Sequence, residues 1–427
     1  MSCLSDVHKI CDKWFYMPDR GQIELVLASY LLGKEPNMKT PVWLLLVDQS
    51  GEAKTELLRT LVGLPDVLKI HNITKNWLAS GNPMGDDLIS RVIKGQPLIL
   101  LVMDLAALMS KRSDDKNEIW AQFRDIFDGH WGKNTGLKSK SIEGAQITLL
   151  GAATTRFRSQ YIINQQLGSR ELLYTQKSNC INLSSENKNE ELTKKMNKAS
   201  SNVEKLKQMR AELSEVVQNF LKDVVVKPLE INEITNPEIN HFLNEQCLKL
   251  RILRAVVEKD NYSGDPNGEI SAETPTRVKQ QLARLYYGLK SLEPNYPDER
   301  AMKIIERIVE SSGNQLRANI MNVFEESPNE WFRIKDIELI VKRGNKTVRT
   351  ELNSLWVLDW LKKEIRTEML VSGREIDVPY YKRSFVAKKQ QPIIKIVDKK
   401  NNRIMLNNNT KDISDSVSYT HLTLPTN

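Results

Sequence analysis

Residues Val42-Trp43-Leu44-Leu45-Leu46-Val47 run directly into Asp48-Gln49-Ser50-Gly51-Glu52-Ala53-Lys54-Thr55, and these into Glu56-Leu57-Leu58-Arg59-Thr60-Leu61-Val62. An unbroken apolar run of strand length predicts a strand buried on both faces, the habit of a parallel sheet. From Lys54 to about Val62 the apolar residues fall at helical spacing. The loop between strand and helix matches GxxxxGK(S/T), except that Asp48 and Ala53 stand at the two glycine positions. That spacing suits backbone N–H groups curled round an anion at a helix N-terminus, a lysine for its charge, and a hydroxyl for a divalent cation. Lys54 and Thr55 supply the last two, Gly51 keeps one flexible residue in the loop, and alanine is the smallest substitute at 53. Asp48 carries negative charge toward such a ligand unless its side chain turns away. The plainer alternative is that Lys54 and Thr55 simply begin a helix.

Outward from this loop, apolar runs recur at Leu98 to Met103 and Ile147 to Leu150, with helical stretches such as Ile119 to Phe127 between them. Strand and helix in alternation predict an α/β parallel sheet. The second run ends on Asp104, a placement suited to holding Mg²⁺. Leu105 follows it, where an acid would orient attacking water. Asp125 and Asp128 are alternative bases, equally readable as a polar helix end. Ile147 to Gly151 leads into Ala152-Ala153-Thr154-Thr155-Arg156, which sets a polar residue at a strand end. Leu167-Gly168-Ser169-Arg170 puts an arginine after a tight turn.

Toward the N-terminus, Ser5 to Leu32 predicts two helices broken by Pro18 and Gly21. Glu186 to Val226 carries Leu192, Met196, Ala199, Val203, Leu206, Leu213, Val217 and Phe220 at spacings of 3 and 4, either a coiled-coil arm or an amphipathic helix laid on the body. Helices are expected over Asn236 to Glu258 and Pro275 to Ser291, separated by a polar loop from Asn261 to Ala272. From Leu316 the order is helix, a short extended piece at Trp331 to Arg333, helix, turn, helix (Thr347 to Leu358), then two strands round Ser372 and Gly373. Helix, turn, helix and β-hairpin make a winged helix.

The ordered segments VWLLLVDQSGEAKTELLRTL, the strand with Asp104, FRDIFDGHWGKNTG, LLGAATTRF, LGSRELLYT and ETPTRVKQQLARLYYGL resemble the AAA+ ATPases. The resemblance covers roughly Lys39 to Leu292. It is strongest to ATPases of phages and other mobile elements distantly related to minichromosome-maintenance helicases. It implies an α/β P-loop NTPase core with a helical lid and a helical or coiled-coil insertion, plus a C-terminal α+β winged-helix domain. ATP and Mg²⁺ are the implied cofactors, with Gly51, Lys54 and Thr55 cradling nucleotide and Thr55 and Asp104 holding the metal. Thr154 or Thr155 would be sensor 1, Arg170 the arginine finger reaching a neighbouring subunit's nucleotide, and Arg277 the sensor 2 arginine of the lid. An arginine supplied in trans implies a homo-oligomer, a ring or at least a dimer. The expected segments are 1–36 (N-terminal helices), 37–185 (core), 186–226 (arm), 227–312 (lid), 313–384 (winged helix) and 385–416 (basic tail).

Charge divides the chain unevenly. Of 427 residues with net charge +8, the stretch 331–411 holds 19 Lys and Arg against 9 Asp and Glu, and the remainder 43 against 45. A basic excess confined to the last fifth points to a polyanion partner there, namely DNA. On the helix beginning near Lys346, Val348, Leu352 and Leu355 face inward, while Lys346, Thr347, Arg349, Thr350 and Asn353 offer the side-chain types that contact phosphates and base edges. Arg374, with Lys362, Lys363, Arg366, Lys382 and Arg383, would line the hairpin, and Lys388, Lys389, Lys395, Lys399 and Lys400 the tail. Winged helices also dock proteins, so that use stays open. Trp331, Trp356 and Trp360 are expected in the core.

Cys3, Cys11, Cys180 and Cys247 lack the spacings of a zinc site or disulfide framework. No run nears the roughly 18 apolar residues of a membrane span, and no export signal is read, so a soluble cytoplasmic protein is expected. Val417 to Thr426, VSYTHLTLPT, resembles the translated end of a transposon adapter used in sequencing libraries; 417–427 is set aside and the native C-terminus is expected to be missing. The expected activity is a DNA-directed ATPase motor, helicase or loader, serving a mobile element. The alternatives are a non-hydrolysing, nucleotide-regulated DNA-binding regulator and a scaffold whose winged helix docks protein.

Overall fold

The computed structural model describes residues 2–17, 19–35, 40–70, 73–78, 88, 92, 98–135, 138–158, 170–176, 193–194, 196–198, 202–224, 236–260, 266–369, 371–372, 374–384, 396–397 and 404–405. The chain divides into two units, Met1–Val256 with Ser271–Asn322, and Val257–Ile270 with Val323–Asn427.

The first unit is built on a five-stranded, wholly parallel sheet of β1 (Trp43–Val47), β2 (Val67–Ile70), β3 (Leu98–Val102), β6 (Ile147–Ala153) and β7 (Glu171–Tyr174). Its strand order is β2-β3-β6-β1-β7. The apolar runs read from sequence are the three central strands, each fully buried because both faces are covered. The outer strands β2 and β7 escaped notice: VLKI and ELLY are too short and too mixed to stand out from helical segments. The hairpin β4 (His130–Thr135) and β5 (Lys138–Glu143) lies between β3 and β6 in sequence.

Strand side chains alternate between two layers. Trp43, Leu45 and Val47 face one way, with Leu98, Leu100, Leu149, Trp120, Phe123 and Phe127 in one apolar cluster. The last three lie on a helix (Ser113–Phe127) whose aromatic rings meet Trp43 edge-on at 5.6 and 5.3 Å. On the other face lies α2 (Gly21–Gly33), buried along its whole length, after α1 (Leu4–Trp14). A side chain at Gly33 would collide with Ile99 and Thr148, and one at Gly288 with Leu32, so these glycines set how closely α2 approaches the sheet and the helix Thr276–Lys290 approaches α2.

Two expectations need correction, and one open alternative is decided. Of the two readings of the arm, its described helix Val203–Asp223 fits the amphipathic helix laid on the body: it packs on α1 and on the helix Lys54–Arg59. Its buried stripe is Met209, Leu213, Val217, Phe220 and Leu221, while Met196 and Val203 are exposed, so the heptad reading began too early. Arg210 clasps Glu56 through two hydrogen bonds of 2.7 and 2.9 Å, and Glu212 accepts from Trp14 Nε1 at 2.9 Å. The helix expected over Asn236 to Glu258 ends at Arg254, and Val256–Lys259 and Pro266–Ser271 are strands where a helix end and a polar loop were expected. Both strands lie, apart from their end residues Val256 and Ser271, in the stretch that groups with the second unit.

The second unit follows the expected order closely. Phe332–Arg333 is a short strand, Ile334–Val341 a helix, Asn345–Val357 a helix, and Leu361–Met369 and Glu375–Arg383 a long antiparallel hairpin. Lys342 ends the first helix in a left-handed conformation at φ 51°, which turns the chain into the second. Phe324, Ile337, Val348, Leu352, Leu355 and Tyr381 form its core. The basic tail lies outside the described residues, apart from the pairing of Ile396–Val397 with Ile404–Met405. Among the described residues no helix is long and apolar enough to cross a membrane.

Candidate functional site

The C-terminal ends of β1, β3 and β6 are neighbours in the sheet, and the residues that follow each strand meet in one cavity of about 450 Å³. Ser50 to Glu56 form one wall, Met103 and Asp104 a second, and Ala152 to Thr154 the floor between them. Trp14 to Met17 and Lys198, Lys205, Leu206 and Met209 complete the lining. Sequence distance is therefore irrelevant here: parallel strands deliver the loops following them to the same edge.

Within the loop, Gly51 has φ 89° and Ala53 φ 54°, so two left-handed residues alternate with ordinary ones and curl successive amides inward. Alanine at 53 holds a backbone shape that glycine adopts without cost, at an expense of roughly 1 kcal/mol. The helix beginning at Lys54 has no side-chain cap at Ala53, which leaves its first amides facing the cavity. Lys54 is 7% exposed, and its Nζ donates to the carbonyls of Asp48 at 2.9 Å and Gln49 at 2.5 Å. Burial pulls this ammonium below the usual lysine range, against the opposing attraction of Asp48, Glu52 and Asp104. A buried cation destabilised in this way favours an incoming anion.

Asp48 does not face the ligand space. Its carboxylate is fully buried, accepting from Gln22 Nε2 at 2.9 Å and the Gln176 amide at 3.1 Å. The signature glycine is thus replaced by a group turned into the protein, away from the loop amides. Thr55 Oγ1 lies 3.4 Å from the Met103 carbonyl, which sets the hydroxyl beside the residue preceding Asp104. Asp104 is exposed and its Oδ1 accepts from the Ala106 amide at 2.8 Å, so it also caps the short helix Ala106–Met109. Leu105 is 2% exposed and contributes only to the core. Of the two threonines, Thr154 lines the cavity and Thr155 does not.

The two arginines implied by the resemblance are elsewhere. Glu171 pairs level with Trp43 at the start of the strands, so Arg170 stands at the edge opposite the cavity. The strand length between the edges is about 16 Å. Arg170 Nη2 binds Asp128 Oδ2 at 2.7 Å, and Gln281, which also lies within 3.5 Å of the Pro41 carbonyl, donates to the Arg170 carbonyl. Arg277 binds Glu273 and sits over Phe127 at 5.9 Å, and Phe127 is the ring against Trp43. Arg277, expected as the sensor 2 arginine of the lid, does not line the cavity: its helix is anchored just before β1, where Gln281 and Arg284 meet the Pro41 and Thr40 carbonyls. Asp125 and Asp128 do not line the cavity either.

On the second unit, Lys346, Thr347, Arg349 and Arg374 are exposed, and Thr350 is half-buried with its hydroxyl on the Lys346 carbonyl. Asn353 is not a contact residue. It is 4% exposed and accepts from Lys363 Nζ at 3.0 Å and Tyr381 Oη at 2.7 Å, tying the helix to the hairpin. Its spacing put it beside the exposed positions because sequence cannot see the hairpin folding back over that turn. Trp331, Trp356 and Trp360 are half-buried beneath Arg366, Lys363 and Arg383, the cations stacked on their rings at 4.9, 4.8 and 5.5 Å.

Among the described residues no group of three His, Cys, Asp or Glu could cage a metal ion. Cys3, Cys11 and Cys247 are free thiols, and Cys180 lies outside the described residues. No family model matches the chain, and no curated protein matches it in sequence.

Proposed function

We propose that the chain is a P-loop ATPase of the AAA+ type that binds Mg²⁺ and ATP beside Lys54 and acts on DNA through a winged-helix second unit. The role is that of a helicase-like or loader-like motor in replication or maintenance of a mobile element. One observation carries the nucleotide reading: Lys54, Thr55, Asp104 and Thr154, from three adjacent parallel strands, line the same cavity. The space fits, since small-ligand sites run from about 300 to 1,000 Å³. Trp14 to Met17 offer apolar surface for a base, and the loop amides and Lys54 offer donors for phosphates. Two hard oxygen ligands, Thr55 and Asp104, fit Mg²⁺, which takes few protein ligands when phosphates supply the rest. Bound there, the metal would supply charge neutralisation on the phosphate oxygens.

On this reading Lys54 gives up its carbonyl partners for phosphate oxygens, and Thr154 offers a hydroxyl to the terminal phosphate. Arg170 and Arg277 share the edge about 16 Å of strand from their own cavity, so they serve only the nucleotide of a neighbouring copy. That requires a homo-oligomer. The exposed Lys346, Thr347, Arg349 and Arg374 and the basic excess of 331–411 support DNA as the partner of the second unit.

A second reading, a nucleotide-regulated DNA-binding regulator that does not hydrolyse ATP, is favoured by buried Leu105 in the place of a water-orienting acid. Phosphate release with and without duplex DNA, on wild type and Lys54→Ala, separates the two. DNA-stimulated release that Lys54→Ala abolishes supports the motor; nucleotide binding without such release supports the regulator. No binding of either nucleotide or DNA overturns both.

A further inference from the structure

With both implied arginines at the far edge, the cavity still receives cations from its own chain, and they come from the arm. The buried stripe of the helix Val203–Asp223 runs Phe220, Val217, Leu213, Met209. One turn further toward its N-terminus the same face presents Lys205 and Leu206, and both line the cavity that the loop Ser50–Glu56 also lines. Among the described residues no hydrogen bond or ion pair engages the Lys205 ammonium, while its amide donates to Asn202 Oδ1. The side chain is exposed at the cavity wall.

This wall is held firmly. Arg210, one turn beyond Leu206, neutralises Glu56, the residue after Thr55, so that carboxylate does not compete for Lys205. Glu212 accepts from Lys13 at 2.5 Å and from Trp14, which joins the helix to the aromatic segment that also lines the cavity. Lys198 donates to the carbonyls of Asp12 and Phe15 and so fixes that segment as well.

We propose that the helix Val203–Asp223 is the lid of this nucleotide site and that Lys205 is the residue that tells a nucleoside triphosphate from a diphosphate. The proposal rests on the nucleotide reading above and adds its specificity. Lysine is a compact point charge on a flexible stem, suited to a phosphate that comes and goes. A ligand shifts a structure only through contacts it makes in one state and not the other. The terminal phosphate is that differential contact, and the Arg210–Glu56 clasp links the helix carrying Lys205 to the loop helix.

The test is calorimetric titration of the full chain, in Mg²⁺, with ADP and with a non-hydrolysable imido analogue of ATP. Lys205→Ala is expected to weaken the triphosphate analogue about tenfold and ADP less than about twofold, the loss of one charge-assisted hydrogen bond. Lys205→Arg should recover most of the difference. Because Lys205 is exposed, the thermal midpoint of Lys205→Ala should stay at the wild-type value, which excludes misfolding as the cause. Equal weakening of both nucleotides, or of neither, overturns the lid assignment while leaving the site standing, provided Lys54→Ala binds neither. Absence of heat from wild type with either nucleotide overturns the site and the lid together.

Discussion

Glu24→Gln probes the deepest charge in the first unit. Glu24 is fully buried in the first turn of α2, where Tyr296 Oη donates to it at 2.6 Å and Arg300 binds it through Nε at 2.8 Å and Nη2 at 2.7 Å. His8 Nε2 lies 2.8 Å away. The carboxylate therefore joins α1, α2 and the segment 296–300. Removing one member of a buried pair costs about 3–5 kcal/mol where the other charge stays buried. Arg300 is 40% exposed, so water recovers part of that loss, and glutamine keeps an oxygen for Tyr296. About 2 kcal/mol remains, or about 3 °C in melting midpoint for a unit of this size.

The pH dependence gives the sharper check. Burial acts to raise the Glu24 carboxyl, but the contacts from His8, Arg300 and Tyr296 outweigh it and hold the group below its ordinary 4.5. A depressed folded-state value means the stabilisation is complete above the unfolded value and fades as pH falls through the folded one. Wild type and Glu24→Gln should thus differ at pH 7 and converge in acid, once pH has fallen through the depressed folded-state value and both side chains are neutral. Urea titrations across that range measure the gap. A gap that is absent at pH 7, or that persists unchanged into acid, would refute the ionised latch.

Asp48→Gly restores the motif glycine, yet it should destabilise the protein by about 2–4 kcal/mol in urea, because Gln22 and the Gln176 amide lose a buried acceptor; a gain in stability would show that Asp48 is a burden on the loop. Ala53→Val should cost about 2 kcal/mol or more, since a β-branched residue tolerates φ 54° poorly, while Ala53→Gly should be neutral or slightly stabilising; equal effects would deny the left-handed loop. In gel-shift titrations, Arg349→Ala should lower the salt slope of duplex binding by about 1, the loss of one phosphate contact. Asn353→Ala should leave that slope unchanged but destabilise the second unit by about 1–3 kcal/mol, because Lys363 and Tyr381 lose their acceptor; a changed slope at unchanged stability would return Asn353 to the binding face.

Local sequence determined the elements with a strong single period. The three central strands are uniformly apolar, and burial on both faces leaves no other reading of such runs. The helix–turn–helix and hairpin of the second unit were legible because each piece has its own spacing and turn. The strand, loop and helix from Val42 to Arg59 were legible because their spacing is local. Tertiary structure decided what depends on the neighbours of a residue. Strand order joined Thr154 and Asp104 to Lys54, and strand direction sent Arg170 and Arg277 to the opposite edge. Packing on α1 turned an ambiguous heptad into a surface helix and brought Lys205 to the cavity, and the hairpin buried Asn353. Periodicity reports which face of an element is apolar, but only the folded chain says what that face meets.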